Sequence, residues 1–322
     1  MKIVSNHLVQ QAPDFSLEAQ ASLSGHSTET ADLPKPSVCA VMVTYQPTAS
    51  LLDNVAALRP QTDALVIVDN GSNAQAMRFI EEAGHKFGCV VFRNGHNLGI
   101  AAALNRGVRY ARSRRYEWVA LFDQDSSVPG SFMSSMLRTA MDRNKSQVAI
   151  IAPQYLDRSS SVAMPLAKDR KGNILTSMTS GSLIPVELFR RCGEFDESLF
   201  MDYVDHEFCL RVRNMGFVIV QSPEARLLHS LGTAATHHFL GRTFLTTNHR
   251  AERRYYITRN RVWLYKEYFS KDISWTLKDA RSLLGETVKI LLAEDSKIRK
   301  MGNILRGVKD ALAGRLGHRV PL

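Results

Sequence analysis

Cysteine is scarce in this 322-residue chain: Cys39, Cys89, Cys192 and Cys209 are widely spread and form no Cys-x-x-Cys pair. That pattern excludes a disulfide framework and reads as buried thiols in a reducing compartment. Long apolar runs are missing as well. No stretch approaches the ~18 apolar residues a membrane span needs, and the first residues lack the charged-then-apolar layout of a secretory signal. The expectation is a protein made and kept in the cytosol. The glycines form neither a Gly-x-Gly-x-x-Gly dinucleotide loop nor a Walker P-loop, so hydride transfer and ATPase chemistry lose their usual signatures. Thr44-Tyr-Gln-Pro47 is not the Gly-rich, Arg-containing loop expected of a sugar-phosphate nucleotidyltransferase, and no internal repeat is found.

Charge of one sign is plentiful but confined. The net charge is +10, yet residues 250–322 hold 17 Lys and Arg against 8 Asp and Glu, leaving 24 against 23 in residues 1–249. A nearly neutral body with a basic tail argues against nucleic acid as the partner.

Residues 1–37 mix Gln, Ser, Ala, Thr and Glu without a sustained period and read as a mobile N-terminal extension. From Val38 the text alternates. Apolar runs at 38–45, 64–69, 88–92, 118–122 and 148–152 are separated by helical patterns beginning at Pro47, after Ser72, at Ile100 and at Pro129. Strict strand and helix alternation means βαβ crossovers and a Rossmann-like, mostly parallel sheet flanked by helices, an α/β fold. The rhythm breaks over 154–180, then resumes with a short helix to Arg191, a helix from about Asp205 to Met215 and a strand at 217–221.

The boundaries expected are 1–37 for the extension, 38–265 for the α/β domain and 266–322 for a basic, amphipathic helical region. In that last region Leu277, Leu284, Leu291, Ile298, Leu305 and Leu312 recur every seven residues, with Gly302 and Gly307 as expected break points. Packing on its own domain, a coiled coil with a second subunit in a homo-oligomer, and a membrane surface all fit. The basic polar face tips the expectation toward anionic lipid.

The chemistry gathers at strand ends. Trp118-Val-Ala-Leu-Phe-Asp-Gln-Asp-Ser126 is a buried-strand run that stops at Asp123 and Asp125. Ligands of open α/β sheets bind beyond the carboxyl ends of the strands, and two carboxylates there suit Mg²⁺ or Mn²⁺ carrying substrate phosphates. Alone, Asp123-Gln-Asp125-Ser126 is also a common turn and cap. Asp69-Asn-Gly-Ser72 ends the second strand, where a carboxylate can accept from an imide N–H or a sugar hydroxyl and Gly71 lets the backbone turn under a ligand. Asn94-Gly-His-Asn-Leu-Gly-Ile-Ala-Ala-Ala-Leu-Asn105 opens a helix with small residues and amides, whose first-turn N–H groups favour an anion or a polar base. Asp202, Asp205 and Glu207 crowd His206 at another helix start, where one acid beside a hydroxyl would serve as general base. His229 offers a nitrogen to a Mn²⁺ site, though a lone His is more often structural.

Together with Val43-Thr-Tyr45, Ser180-Gly-Ser182 and Arg254-Tyr-Tyr-Ile-Thr-Arg-Asn-Arg261, these motifs resemble an inverting family 2 glycosyltransferase of the GT-A fold. The Asp-Gln-Asp-Ser and Asp-Tyr-Val-Asp-His-Glu-Phe pieces are similar to those of bacterial dTDP-L-rhamnose-dependent rhamnosyltransferases. The resemblance implies nucleotide-sugar contacts from Thr44, Tyr45, Asp69, Asn70, Asn97, Gly99, Asn105, Asp123, Gln124 and Arg254. It implies Asp123 and Asp125, with His229, as metal ligands, and Asp205 as catalytic base with Asp202 competing. The expected donor is dTDP-L-rhamnose and the expected acceptor a surface-polysaccharide or lipid-linked glycan, on the cytoplasmic face of the inner membrane. The same chemistry with a UDP-hexose and a non-enzymatic basic lipid- or nucleic-acid-binding module are the rivals.

Overall fold

A computed structural model of the chain describes residues 36–142, 147–158, 162–169, 171–229, 235–239 and 242–321. The expected N-terminal extension lies outside these residues apart from Pro36 and Ser37.

Strand β1 (Val38–Thr44) buries all seven of its residues. Cys39, Val41 and Val43 enter one apolar core while Val38, Ala40 and Met42 enter another on the opposite face. This is the period-two pattern of a strand covered on both sides. β2 (Ala64–Asp69) and β4 (Trp118–Asp123) flank β1 in parallel, and β3 (Val90–Arg93) continues the parallel sheet beyond β2.

Helices α1 (Ser50–Leu58), α2 (Ala74–Phe87) and α3 (Ile100–Ser113) are the crossovers, and α4 (Phe132–Met141) follows β4. α1, α2 and α4 cover one face through Leu51, Val55, Ile80, Phe132 and Met136; α3 covers the other through Leu104 and Val108. A Cβ on Gly107 would meet the Val41 side chain at 2.2 Å, so α3 lies closer to β1 than any larger residue permits. The register opposes Thr44 to Asp69 and Val43 to Asp123, which lines three polar residues along one carboxyl edge.

Beyond β4 the order departs from simple alternation. β5 (Val148–Asp157) runs past its expected end at Ala152, with Pro153 at a register shift where its missing N–H costs no ladder bond. β7 (Leu183–Pro185) enters antiparallel between β4 and β5, while β6 (Ala163–Met164) pairs antiparallel with β5. After α5 (Leu188–Cys192) and α6 (Val204–Asn214), β8 (Val218–His229) pairs in parallel with β5 and is far longer than the expected 217–221. A hairpin, β9 (Ala235–Phe239) and β10 (Arg242–Thr246), was not anticipated.

Three helices complete the chain: α7 (Ala251–Tyr268), which crosses the expected boundary at 265, α8 (Ile273–Ala293) and α9 (Lys297–Leu312). Their break falls at 294–296, where Ser296 has φ +53°, and not at Gly302 or Gly307. Gly307 lies inside α9 because a Cβ there would meet the Tyr255 carbonyl at 2.7 Å: the glycine sets helix contact, not helix end.

Candidate active site

The row at the carboxyl edge is built by side chains that tie loops together. Asp69 is 2% exposed, and its carboxylate accepts from the Ser72 and Gly71 N–H groups at 3.0 and 3.1 Å and from the Ser72 and Thr44 hydroxyls. Asp69 and Thr44 therefore fix the βα turn. Gly71, at φ +94°, gives room to the backbone of His96, 2.6 Å from where its Cβ would stand, rather than to a ligand. Asn70 donates to Asn97 Oδ1 and the Gly99 carbonyl and accepts from the Leu98 N–H and Asn94 Nδ2, which uses both of its donors and both lone pairs. With Asn97 Oδ1 also accepting from the Gly99 N–H, the two amides shape the 94–99 loop. Gln124 forms a two-bond bridge to the Tyr45 backbone at 2.8 and 3.1 Å, and the Tyr45 side chain stays exposed.

Two polar groups of α3 are engaged within the protein. Asn105, 1% exposed, donates to the Phe195 carbonyl and Glu197 Oε1 and accepts from the Phe195 N–H, so it binds α3 to the loop before α6 with both of its donors in use. The first amide of α3 is likewise taken: the Ile100 N–H donates to the Phe200 carbonyl at 2.7 Å. Gly99, at φ +90°, is required because a Cβ would lie 2.4 Å from that oxygen.

Phe200 opens a strained segment. Phe200, Asp202 and Tyr203 have φ of 65°, 57° and 63°, left-handed conformations that cost non-glycine residues of order 1–3 kcal/mol each and cluster at functional sites. α7 holds the segment in place. Asn260, fully buried, donates through Nδ2 to the carbonyls of Leu199, Met201 and Asp202 at 2.9, 2.7 and 2.8 Å, and Arg259 donates to Leu199 at 2.8 Å. From the chain's end, the Gly317 N–H donates to the Ser198 carbonyl and His318 stacks on Phe200 at 4.4 Å.

This segment delivers the acids. Asp202 is bound by Arg253 through Nη2 at 2.9 Å and Nε at 3.2 Å. Asp205, at the start of α6, accepts at Oδ1 from the His206 N–H at 2.8 Å and pairs with His206 Nδ1 at 2.9 Å. Burial alone would raise the Asp205 carboxyl, but the charge and hydrogen bonds of His206 outweigh it and hold the group below the usual carboxylate range. Burial would lower His206, and Asp205 raises it above the ordinary histidine value.

Asp202, Tyr203 and Asp205 form the wall between two cavities. The smaller, about 210 Å³, is also lined by Asp123, Thr179 and Arg253. The larger, about 400 Å³, continues to His206, Thr247, His249, Arg254, Arg261 and Lys289. Burial, aided by Arg253 and Arg254, pushes His249 down to about 4, so the larger cavity meets a neutral imidazole at neutral pH.

Arg254 is thus placed away from Asp123. It is 4% exposed and donates to Glu294 at 2.6 Å and Thr247 at 3.0 Å; its buried Nε–H has no partner among the described residues. Its neighbour Arg253 faces the smaller cavity instead. Burial disfavours the Arg253 charge, and Asp202 and Asp123 more than restore it. Sequence reading missed Arg253, Asn260 and the pairing of His206, although the Arg254–Arg261 motif contained Asn260.

Asp123 and Asp125 lie half-buried at and just beyond the end of β4, with the Asp123 N–H bonded to Ser180 Oγ at 3.1 Å. Among the described residues no group of three or more His, Cys, Asp and Glu could hold a metal ion. Two hard carboxylates still fit a divalent ion that completes its shell with water and substrate oxygens. The His229 side chain lies outside the described residues.

Comparison with known proteins bears on this geometry. The fold is shared with the crystal structure of GalNAc-T7 with UDP, GalNAc and Mn²⁺, at a TM-score of 0.57 and 14% identity, covering 88% of this chain and 57% of that one, so this chain spans little more than half of it. It is shared also with the Pyrobaculum calidifontis mannosyltransferase PcManGT in complex with GDP-Man and Mn²⁺, at a TM-score of 0.52 and 15% identity, covering 87% of both chains. The sheet therefore has the GT-A fold of these two structures. Residues 39–186 match the model of glycosyl transferase family 2, and that match, with the relative that follows, supports a glycosyltransferase. It is 28% identical over 297 residues to the dTDP-rhamnosyl transferase RfbF of Shigella flexneri, covering 87% of this chain and 97% of that protein.

Proposed function

We propose that this enzyme transfers L-rhamnose from dTDP-β-L-rhamnose to a hydroxyl of a surface-polysaccharide or lipid-linked glycan, with inversion at the anomeric carbon. The observation that carries this reading is Asp205 standing in the wall between two cavities, one holding Asp123 and Arg253 and the other open toward α8. The similarity to RfbF supports the choice of donor.

The donor diphosphate lies beside Asp123 and Arg253 in the smaller cavity, with Asp125 two residues beyond Asp123, and the acceptor enters the larger. Mg²⁺ or Mn²⁺ held by Asp123 and Asp125, when bound, neutralises charge on the diphosphate. His206 holds Asp205 Oδ1, leaving Oδ2 to take the proton of the acceptor hydroxyl. As that oxygen bonds to the anomeric carbon, the bond from carbon to the diphosphate oxygen breaks on the opposite side. Arg253, which also faces the smaller cavity, supplies positive charge to the departing dTDP. Both oxygens of Asp202 are engaged by Arg253, whereas Asp205 keeps Oδ2 for the acceptor.

Thermal stabilisation with Mn²⁺ across dTDP-rhamnose, dTDP-glucose, UDP-glucose, UDP-galactose and GDP-mannose tests the donor. A ligand near ~100 times its Kd adds roughly 2.7 kcal/mol, and a shift given by dTDP-rhamnose and abolished by EDTA supports donor and metal together. A shift with a UDP-sugar alone would replace the donor. Asp205→Asn should keep that shift and lower turnover about 10²–10⁴-fold, the usual worth of a general base; full turnover would transfer the role to Asp202.

A further inference from the structure

The seven-residue repeat of the C-terminal helices does not face the protein. α8 and α9 pack inward through Trp275, Ile290, Ile304 and Ala311, whereas the repeated residues are exposed. On α8, Ile273, Leu277, Leu284, Val288 and Leu291 are 47–66% exposed, and at 3.6 residues per turn they fall within an arc of about 60°. On α9, Ile298, Leu305 and Leu312 are 92%, 66% and 66% exposed and share an arc of about 40°.

The charges are sorted in the same sense. Asp272 is paired with Arg213, Asp279 and Glu286 with Arg261, and Glu294 with Arg254 and Lys300, while Asp310 accepts from Tyr255. These acids are turned toward the protein, and Asp295, between the two helices, is the exposed one. Lys278, Arg281 and Lys309 are exposed and take no part in an ion pair among the described residues. An apolar stripe bordered by cations, on helices too polar to cross a membrane, is the chemistry of a helix lying in a lipid headgroup layer. A second copy of this chain fits it less well, since a two-fold contact along the stripe would bring the same cations face to face.

We propose that the outer face of α8 and α9 binds an anionic bilayer surface. Sedimentation of the full chain with vesicles tests this, using phosphatidylcholine alone and an equimolar mixture with phosphatidylglycerol. Binding should require phosphatidylglycerol and weaken with salt. The triple change Leu284→Ser, Val288→Ser, Leu291→Ser and the double change Lys278→Glu, Arg281→Glu should each lower partitioning about tenfold or more. All five positions are outside the core, so the melting temperature of each variant should stay at the parent's. Equal binding of parent and triple variant, or no binding by the parent, would overturn the proposal. So would a concentration-dependent dimer that the triple change abolishes, which would make the stripe a subunit contact.

Discussion

β1 buries seven residues without a charge among them, and its neighbours Leu65–Val68 and Val119–Phe122 do the same. α7 buries Arg254, Arg259, Asn260 and Arg261, each 4% exposed or less, and meets Glu294 and Lys300 from the later chain at 3% each. The two regions are held by different physics. Apolar packing asks for volume and tolerates rearrangement, whereas a buried polar network stabilises only when complete and fixes orientation as it does so. The polar region is the one that holds residues 199–203, which include the left-handed Phe200, Asp202 and Tyr203.

The contrast can be tested by breaking each side. Glu294→Ala strands Arg254 and Lys300 inside the helical region and should cost about 3–5 kcal/mol. Val41→Ala in the sheet should cost about 2 kcal/mol. Urea unfolding of both decides it, and equal losses would mean that the network is no more demanding than the core. Asn260→Ala removes the donor to three carbonyls, about 1 kcal/mol for each bond and more where a carbonyl is left buried. Its sharper mark should be a fall in kcat of roughly tenfold to a hundredfold with little change in donor affinity, as a misplaced catalytic group produces. Loss of donor affinity without loss of kcat would show that the loop serves binding.

The smallest effect is on the pH profile of stability. Asp205 is held below its ordinary range, so its contribution is present above the unfolded carboxylate pKa and lost as pH falls through the folded one. His206 is raised above 6.5, so its contribution is full below 6.5 and lost as pH rises through the folded value. The pair therefore contributes most between about pH 4 and 6.5. His206→Gln should flatten the alkaline fall in the denaturant midpoint, and a profile unchanged from the parent would break the assignment.

Legibility followed the same division. Apolar alternation located β1, β2 and β4 to within a residue, and with them Asp69 and Asp123, because a strand buried on both faces writes its burial directly into the sequence. The polar region writes no such pattern. One helical step separates Arg253, beside Asp123, from Arg254, beside Glu294, and α7 has no apolar face from which to read that rotation. The left-handed turns at Phe200, Asp202 and Tyr203 carry no glycine to announce them. The leucine repeat was visible, but periodicity reports a stripe without saying whether it faces inward, and here its exposed side is the regular one.

The clasp on residues 198–200 comes from residues 317–320. Arg259 donates to the Gly317 carbonyl, Gly317 bonds to Ser198, and Tyr256 receives the Arg319 and Val320 N–H groups. During synthesis, then, the sheet can form and its acid-bearing edge be finished while Asp205 still lacks its final support. The support of residues 198–200 is therefore complete only once residues 317–320 are in place.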